Sequence, residues 1–69
     1  MKNTVRDERE RHKWTQAHLA AQLQVSRQTI IAIERERFDP SLRLAFALSA
    51  TLGVEITTLF TPDLERTSP

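Results

Sequence analysis

The stretch that most constrains this chain is residues 16–35, QAHLAAQLQVSRQTIIAIER, because two apolar stripes flank a short break. In the first half, Leu19 and Leu23 recur at helical spacing, and polar residues occupy the other side. In the second half, Ile30 and Ile33 continue an apolar stripe with the same period. We therefore expect two short amphipathic helices joined by a tight corner.

Hydroxyl residues stand where both of these helices should begin. Thr15 and Ser26 can each accept a backbone N–H group of the following turn as an N-cap. Trp14, one residue before the first cap, is placed to pack on Leu19 as a hydrophobic staple. The first helix should begin at Gln16, and the second should begin one residue after Ser26.

The corner and the turn after it predict a helix-turn-helix. Ala20 is small where the helices must cross, and Val25 can fill the gap between them. The second helix opens with Arg27, Gln28 and Thr29, whose side chains match the hydrogen-bonding groups of base edges. One polar first turn is ordinarily just a solvated helix start. Together with the corner and the stripes, it favours a helix that reads bases in the major groove.

The rest of the chain predicts a compact all-α, five-helix bundle forming a single domain over residues 1–69. The core should span about residues 3–61, followed by a polar tail at 62–69. No strand pattern, cysteine or zinc-ligand spacing is present. Phe38 is expected to fold back over the core from the loop at 36–40. Further helices are predicted over residues 4–12, 42–52 and 56–60, with Ser41 as an N-cap and Gly53 as a C-terminal stop.

Hydropathy and charge set the expected location and partners. No apolar run approaches the roughly 20 residues of a membrane span, and the N-terminus lacks a signal peptide's apolar core, so we expect a cytoplasmic protein. The net charge is only +1. Residues 1–43 nevertheless hold nine basic against six acidic side chains, whereas residues 44–69 hold one against three. This modest asymmetry supports DNA contact by the first part.

Apolar residues near the C-terminus exceed what a small bundle can hide, and Phe46 adds to that excess. Because an uncovered apolar patch usually marks a partner surface, we expect a homodimer through the C-terminal helices. The alternative, that these residues complete the core, stays open. The predicted interface residues are Ile56, Leu59, Phe60 and Leu64.

Three segments, WTQAHLAAQL, VSRQTIIAIERERFDPSL and LSATLGVEITTLF, resemble the lambda-repressor and Cro-like helix-turn-helix family, also called the Xre type. The resemblance covers about residues 3–61 and is greatest to minimal, single-domain members. It implies a lambda-repressor-like fold and a prokaryotic transcription regulator that binds a palindromic operator in double-stranded DNA as a homodimer.

The resemblance also implies roles for individual residues. Those expected to face the bases are Arg27, Gln28, Thr29 and Ile31. Those expected to contact phosphate are Gln16, Ser26, Arg37 and Ser41, which fix the register while base contacts specify the sequence.

Two structural features follow from the same resemblance. Arg9 and Glu34 are expected to form a structural ion pair between the first and third helices. Glycines are common in the family where Lys13, Gln24 and Glu36 stand, so three turns should adopt a left-handed or altered conformation at some cost.

The leading hypothesis is a nucleoid-associated repressor that occludes a promoter. The alternative is an antitoxin or other protein-interaction module with DNA binding secondary, although the eight residues after Thr61 are few for wrapping a toxin. An enzyme is disfavoured, since His12 and His18 are expected on different faces and no catalytic constellation is present. No cofactor, metal or small-molecule ligand is expected.

Overall fold

The computed structural model describes residues 1–62, which form five helices and one short two-stranded ribbon. All five predicted helices are present, and the predicted helical fold class is confirmed. None of the helices in this range is long and apolar enough to span a membrane. The elements are β1 (Lys2–Asn3), α1 (Val5–Arg11), α2 (Gln16–Leu23), α3 (Arg27–Glu34), α4 (Leu42–Leu52), α5 (Ile56–Leu59) and β2 (Phe60–Thr61).

The ribbon corrects the expectation that the chain has no strand. β1 pairs antiparallel with β2, with Lys2 opposite Thr61 and Asn3 opposite Phe60. Strands of two residues are too short to show an alternating apolar pattern, so the sequence gives no sign of them. They form because α5 ends beside the start of α1, where the Thr4 N–H group donates to the Leu59 carbonyl at 2.9 Å.

Helices α2, α3 and α4 begin as predicted, each after a hydroxyl side chain that accepts a backbone N–H group of its first turn. The acceptors are Thr15, Ser26 and Ser41, at 3.0, 3.2 and 3.2 Å. Helix α1 begins differently, since the Asn3 side-chain oxygen accepts from the Val5 N–H group at 3.1 Å. Local sequence therefore fixes the starts of the three central helices.

Among residues 1–62, four adopt positive φ angles, all of them at helix ends. Lys13, Gln24 and Glu36 have φ of 61°, 58° and 61°, and Gly53 has φ of 70°. The predicted left-handed turns at the three non-glycine positions are thus confirmed. A side chain with a Cβ atom is disfavoured in this region, so these three positions carry backbone strain that Gly53 avoids.

The core lies between α2, α3 and α4, and residues of α1, α5 and β2 complete it. Its buried side chains are all aliphatic or aromatic, and Ile30, Ile33 and Leu48 are completely inaccessible to solvent. Within the described part of the chain, the core residues are Val5, Leu19, Ala20, Ile30, Ile33, Ala45, Leu48, Leu52, Leu59 and Phe60.

Two expectations about apolar residues are wrong. Leu59 and Phe60, predicted at a dimer interface, are only 0% and 6% exposed because α5 and β2 turn them into the core. Phe38, predicted to cover the core, is 47% exposed because the loop that carries it is exposed from Arg35 to Asp39. The predicted interface residue Leu64 lies outside the described residues, as does the predicted tail after Pro62.

Candidate nucleic-acid interface

The first turn of α3 presents two free polar side chains to solvent. The Ser26 hydroxyl accepts the Thr29 N–H group and lies 2.9 Å from the Thr29 hydroxyl, so the two hydroxyls satisfy each other. Arg27 and Gln28 are exposed, and neither side chain hydrogen-bonds to another residue between 1 and 62. These two side chains are therefore the ones available to an external partner.

The opposite face of α3 fixes this turn in place. Ile30 and Ile33 are fully buried and pack with Leu19 of α2 in the core. At the corner between the helices, the Val25 N–H group donates to the Ala20 carbonyl at 3.0 Å. A rigid support of this kind holds the exposed turn in one orientation, which selective recognition of base edges requires.

A buried polar network joins α1 and α2 to the C-terminal end of α3. Arg9 makes a two-point contact with the Glu34 carboxylate, with Nε to Oε2 at 2.7 Å and Nη2 to Oε1 at 3.2 Å. Its Nη1 group donates to the Trp14 carbonyl at 2.7 Å, and Gln16 Nε2 donates to Glu34 Oε1 at 3.1 Å. The hydrogen bond to Glu34 raises the pKa of Arg9 above its ordinary value, so the guanidinium stays charged.

The four residues expected to contact phosphate are differently placed. Gln16 is half-buried with one amide hydrogen used by Glu34, which leaves its second hydrogen available. Ser26 and Ser41 are exposed but use their hydroxyls as N-caps. Arg37 is exposed in the loop after α3. Of the residues expected to face the bases, Thr29 and Ile31 are half-buried.

The two histidines lie together, which corrects the expectation that they occupy different faces. The His12 ring stacks on Trp14 with centroids 4.5 Å apart, and His18 packs at a tilt with centroids 5.1 Å from Trp14. The left-handed turn at Lys13 reverses the chain between them, so helical spacing does not apply. His12 Nε2 donates to the Leu52 carbonyl at 2.9 Å, which ties α1 to the end of α4.

A polar cleft of about 220 Å³ opens beside the buried network. Its lining includes Arg9, Gln16 and Glu34, which the sequence singled out, and also Arg6 and Arg35, which it did not. Arg6 lies one helical turn before Arg9, and Arg35 directly follows Glu34. Their positions next to the expected ion pair were the one signal that could have identified them.

An apolar groove of about 300 Å³ lies on another part of the surface, between α4 and α5. Ile56, one of the predicted interface residues, forms part of its wall together with Met1, Leu42 and Pro62. Leu42 is 70% exposed, and Phe46, one turn further along α4, is 56% exposed. No charged side chain lines the groove within the described part of the chain.

Comparison with known proteins adds three findings. A family model described as helix-turn-helix matches residues 5–59. An uncharacterized HTH-type transcriptional regulator of Methanocaldococcus jannaschii is 52% identical over 60 residues, which cover 87% of this chain and 91% of that protein. Another, of Methanothermobacter thermautotrophicus, is 44% identical over 55 residues, 80% of each chain.

A solved structure supports the same relationship. The crystal structure of the hypothetical transcription factor NHTF from Neisseria superposes with a TM-score of 0.77 at 33% identity. The match covers 91% of this chain and 71% of that one.

Proposed function

The chain belongs to the helix-turn-helix family of transcriptional regulators, and from this we propose that it is a sequence-specific repressor that binds a palindromic operator as a homodimer. Membership of this family makes it a DNA-binding regulator and not an enzyme. Repression, the palindrome and the dimer are the parts that the proposal adds.

The observation that carries the proposal is that Arg27 and Gln28 are exposed at the start of α3 and hydrogen-bond to no other side chain within residues 1–62. The opposite face of the helix is packed into the core. An arginine pairs bidentately with guanine and a glutamine with adenine in the major groove. Ile31, on the same face of α3, would contact a thymine methyl group, and Thr29 would lie beside them. Both of these side chains are half-buried, so they contribute less than the exposed pair.

Phosphate contacts would hold this helix in register. Ser26 caps α3, and Gln16 begins α2, and at both helix starts backbone N–H groups favour an anion. Arg37 and Ser41 flank the loop before α4. Because these contacts carry no sequence information, their loss should weaken binding to all DNA alike.

Dimerisation would place two copies of α3 about 34 Å apart, in successive turns of the major groove. The apolar groove that includes Ile56, together with exposed Leu42 and Phe46, offers the surface for it. A dimer bound across a promoter would exclude polymerase by occupying the site. The protein would therefore act at the nucleoid, in the cytoplasm.

The test is selection of genomic fragments by the purified protein at moderate and high salt, followed by sequencing. We expect one inverted repeat that survives added salt. Weak retention of all fragments, lost as salt rises, would contradict sequence-specific binding, because charge-driven binding alone behaves in this way.

A matched pair of glutamine variants assigns the bases. In Gln28→Ala, the selected repeat should lose its preference at one base pair in each half-site. In Gln22→Ala, which alters an exposed glutamine on α2, the repeat should be unchanged. Equal motifs from both variants would show that Gln28 reads no base.

A further inference from the structure

We propose that the apolar groove between α4 and α5 receives Phe46 from a second copy of this chain, with each copy inserting this side chain into the groove of the other. This inference rests on the proposed function, because it specifies how the proposed homodimer is joined. It goes beyond that function by naming the side chain that enters the groove. It also assigns Arg43 and Glu55 to ion pairs that align the two copies.

The groove is large enough and apolar enough for an aromatic ring. Its volume of about 300 Å³ exceeds the roughly 150 Å³ of an apolar cavity that binds benzene. Leu42 and Ala45 form the α4 wall, and Ile56 and Thr57 form the α5 wall. Within residues 1–62, Thr57 is the only lining residue with a polar side chain. A phenyl ring that enters the groove therefore displaces water from apolar surface and leaves no charged group without a partner.

Phe46 projects from the surface directly beside this groove. Its side chain is 56% exposed and is not part of the groove wall. Leu42, which does line the groove, lies one turn earlier on the same face of α4, and residues four apart on a helix have Cβ atoms about 5–6 Å apart. Each copy thus presents an aromatic side chain next to a groove that this side chain does not fill.

Such a patch is complementary to itself. In a two-fold dimer the same surface of both copies meets, so that a residue of one copy contacts a second residue of the other, and the reverse contact also forms. A two-fold axis beside Phe46 places each projecting ring opposite the groove of the other copy. An isolated groove could accept many partners, but a groove adjacent to a matching projection favours a second copy of the same chain.

The charges that flank the groove support the same partner. Arg43 follows Leu42 on the α4 wall, and Glu55 precedes Ile56 on the α5 wall. Both charged residues are exposed, and neither forms an ion pair within residues 1–62. When α4 of one copy lies across the groove of the other, Arg43 of each copy faces Glu55 of the other. Complementary charges of this kind fix the orientation in which two surfaces meet.

Two inserted rings would supply the centre of the interface. Burying a phenylalanine removes about 150–250 Å² of surface from water, and a few central aromatic side chains commonly provide most of the binding free energy of an interface. The ion pairs lie at the edge, where water screens them, so each should contribute less than a ring. Loss of Phe46 should therefore weaken the dimer more than loss of either charge.

The first test is sedimentation equilibrium of the full chain. Phe46→Ser should raise the dimer dissociation constant by at least about tenfold. Phe38→Ser is the matched control, because Phe38 is 47% exposed and does not line the groove, and it should leave the constant unchanged. Urea unfolding of the dilute protomers should have the same midpoint for both variants and wild type, which excludes loss of the fold as the cause.

Charge reversal tests the alignment of the two copies. Arg43→Glu or Glu55→Arg alone places like charges opposite each other at two symmetric sites and should weaken self-association by about three- to tenfold. An equimolar mixture of these two variants should form mixed dimers in preference, because both ion pairs then form between the copies. Equal association in the mixture and in the separate variants would overturn the proposed pairing.

A direct measurement identifies what occupies the groove. A mixed dimer is prepared from protein with ¹³C-labelled isoleucine methyl groups and unlabelled protein. A nuclear Overhauser effect is expected between the Ile56 methyl groups of one copy and the Phe46 ring of the other. If the Ile56 methyl groups instead contact Leu64 of the same chain, the groove is occupied from within and the inference is wrong.

DNA binding separates this inference from the proposed function. Phe46→Ser should keep wild-type affinity for a single operator half-site and lose affinity for the full inverted repeat. If wild-type protein selects an inverted repeat as a dimer but Phe46→Ser assembles equally well, the inference is overturned and the proposed function stands. If wild-type protein selects no operator at all, the proposed function fails, whatever the state of the groove.

Discussion

Around Arg9 and Glu34, buried charged side chains meet donors and acceptors from three helices, whereas around Leu42 and Phe46, large apolar side chains lie in solvent. In the first region, which we call the network side, the buried charged side chains are paired within one chain. The second, which we call the apolar side and which includes the groove at Ile56, offers surface that nothing in residues 1–62 covers.

The network side therefore contributes to the stability of the single chain, whereas the apolar side is a surface to which a second molecule can bind. A buried charge is tolerated only when it is paired, so any change to the network side should appear as lost stability. An exposed apolar side chain contributes little to folding but can contribute to association. Variants on the two sides should therefore fail in different assays.

The largest expected effect is that of Glu34→Ala on the network side. It leaves the Arg9 guanidinium buried without its carboxylate, and removing one partner of a buried pair costs about 3–5 kcal/mol. Small domains have total unfolding free energies of about 5–15 kcal/mol, so this variant should lose a large part of its unfolding free energy. Urea unfolding followed by circular dichroism measures the loss.

Two further variants control this result. Glu10→Ala removes an exposed carboxylate from a one-turn ion pair and should cost no more than about 0.5 kcal/mol. Arg9→Leu combined with Glu34→Leu should be less destabilised than Glu34→Ala, because no charge remains buried. If Glu10→Ala and Glu34→Ala lower the unfolding free energy by the same amount, the buried network does not stabilise the domain more than a surface ion pair does.

On the apolar side, Leu42→Ser should weaken the dimer while leaving the fold intact. Removing a leucine side chain from an apolar contact costs about 1.5–3 kcal/mol, which raises the dimer dissociation constant by roughly ten- to hundredfold. The unfolding free energy of the dilute protomer should change by less than about 0.5 kcal/mol, since Leu42 is 70% exposed. Sedimentation equilibrium gives the first quantity and urea unfolding the second.

Ala50→Ser is the matched control, because it puts the same hydroxyl on an exposed position of α4. It should alter neither assembly nor stability. If Leu42→Ser instead lowers stability without changing assembly, or if wild-type protein is monomeric at high concentration, the apolar side is not a dimer surface.

The exposed first turn of α3, which the buried Ile30 and Ile33 hold in place, should matter to DNA binding and not to folding. Arg27→Ala is expected to weaken operator binding by about 1–3 kcal/mol and to relax specificity at one base pair per half-site. Its unfolding free energy should stay within about 0.5 kcal/mol of wild type, because the Arg27 side chain hydrogen-bonds to no other residue in the range 1–62. Fluorescence anisotropy with operator and mismatched duplexes measures both affinities, and unchanged operator binding would refute the assignment.

Much of the fold could be predicted because its signals are local. A hydroxyl at Thr15, Ser26 or Ser41 caps the helix that follows it, and this requires only neighbouring residues. The left-handed turns at Lys13 and Gln24 were predicted from the family resemblance, because glycines are common in the family at these two positions. The cap hydrogen bonds join residues that are only three positions apart in the sequence.

What the sequence could not predict depends on contacts between distant segments. The ribbon joins Asn3 to Phe60, and the polar cleft brings Arg6 next to Arg35. Apolar character alone could not assign Leu59 to the core and Phe38 to the surface, because that choice depends on the direction in which each segment leaves its helix. Similarly, the roles of individual residues in DNA contact remain predictions that the binding experiments test.

The smallest expected effect concerns the helix ends, where the two sides differ again. Helices α1, α2 and α3 of the network side are followed by left-handed turns at Lys13, Gln24 and Glu36, whereas α4 of the apolar side ends at Gly53. Gln24→Gly should raise the unfolding free energy by about 0.5–1 kcal/mol, because relief of backbone strain exceeds the added entropy of the unfolded chain. Urea unfolding measures the gain.

Gly53→Ala is the reverse experiment on the other side. A Cβ atom built at Gly53 meets nothing within 4 Å, so the substitution isolates the cost of a side chain at positive φ, about 1 kcal/mol. A gain at Gln24 similar in size to the loss at Gly53 would show that backbone conformation alone separates the two ends. If Gln24→Gly destabilises the protein, the Gln24 side chain must contribute more to the corner between α2 and α3 than its strained backbone costs.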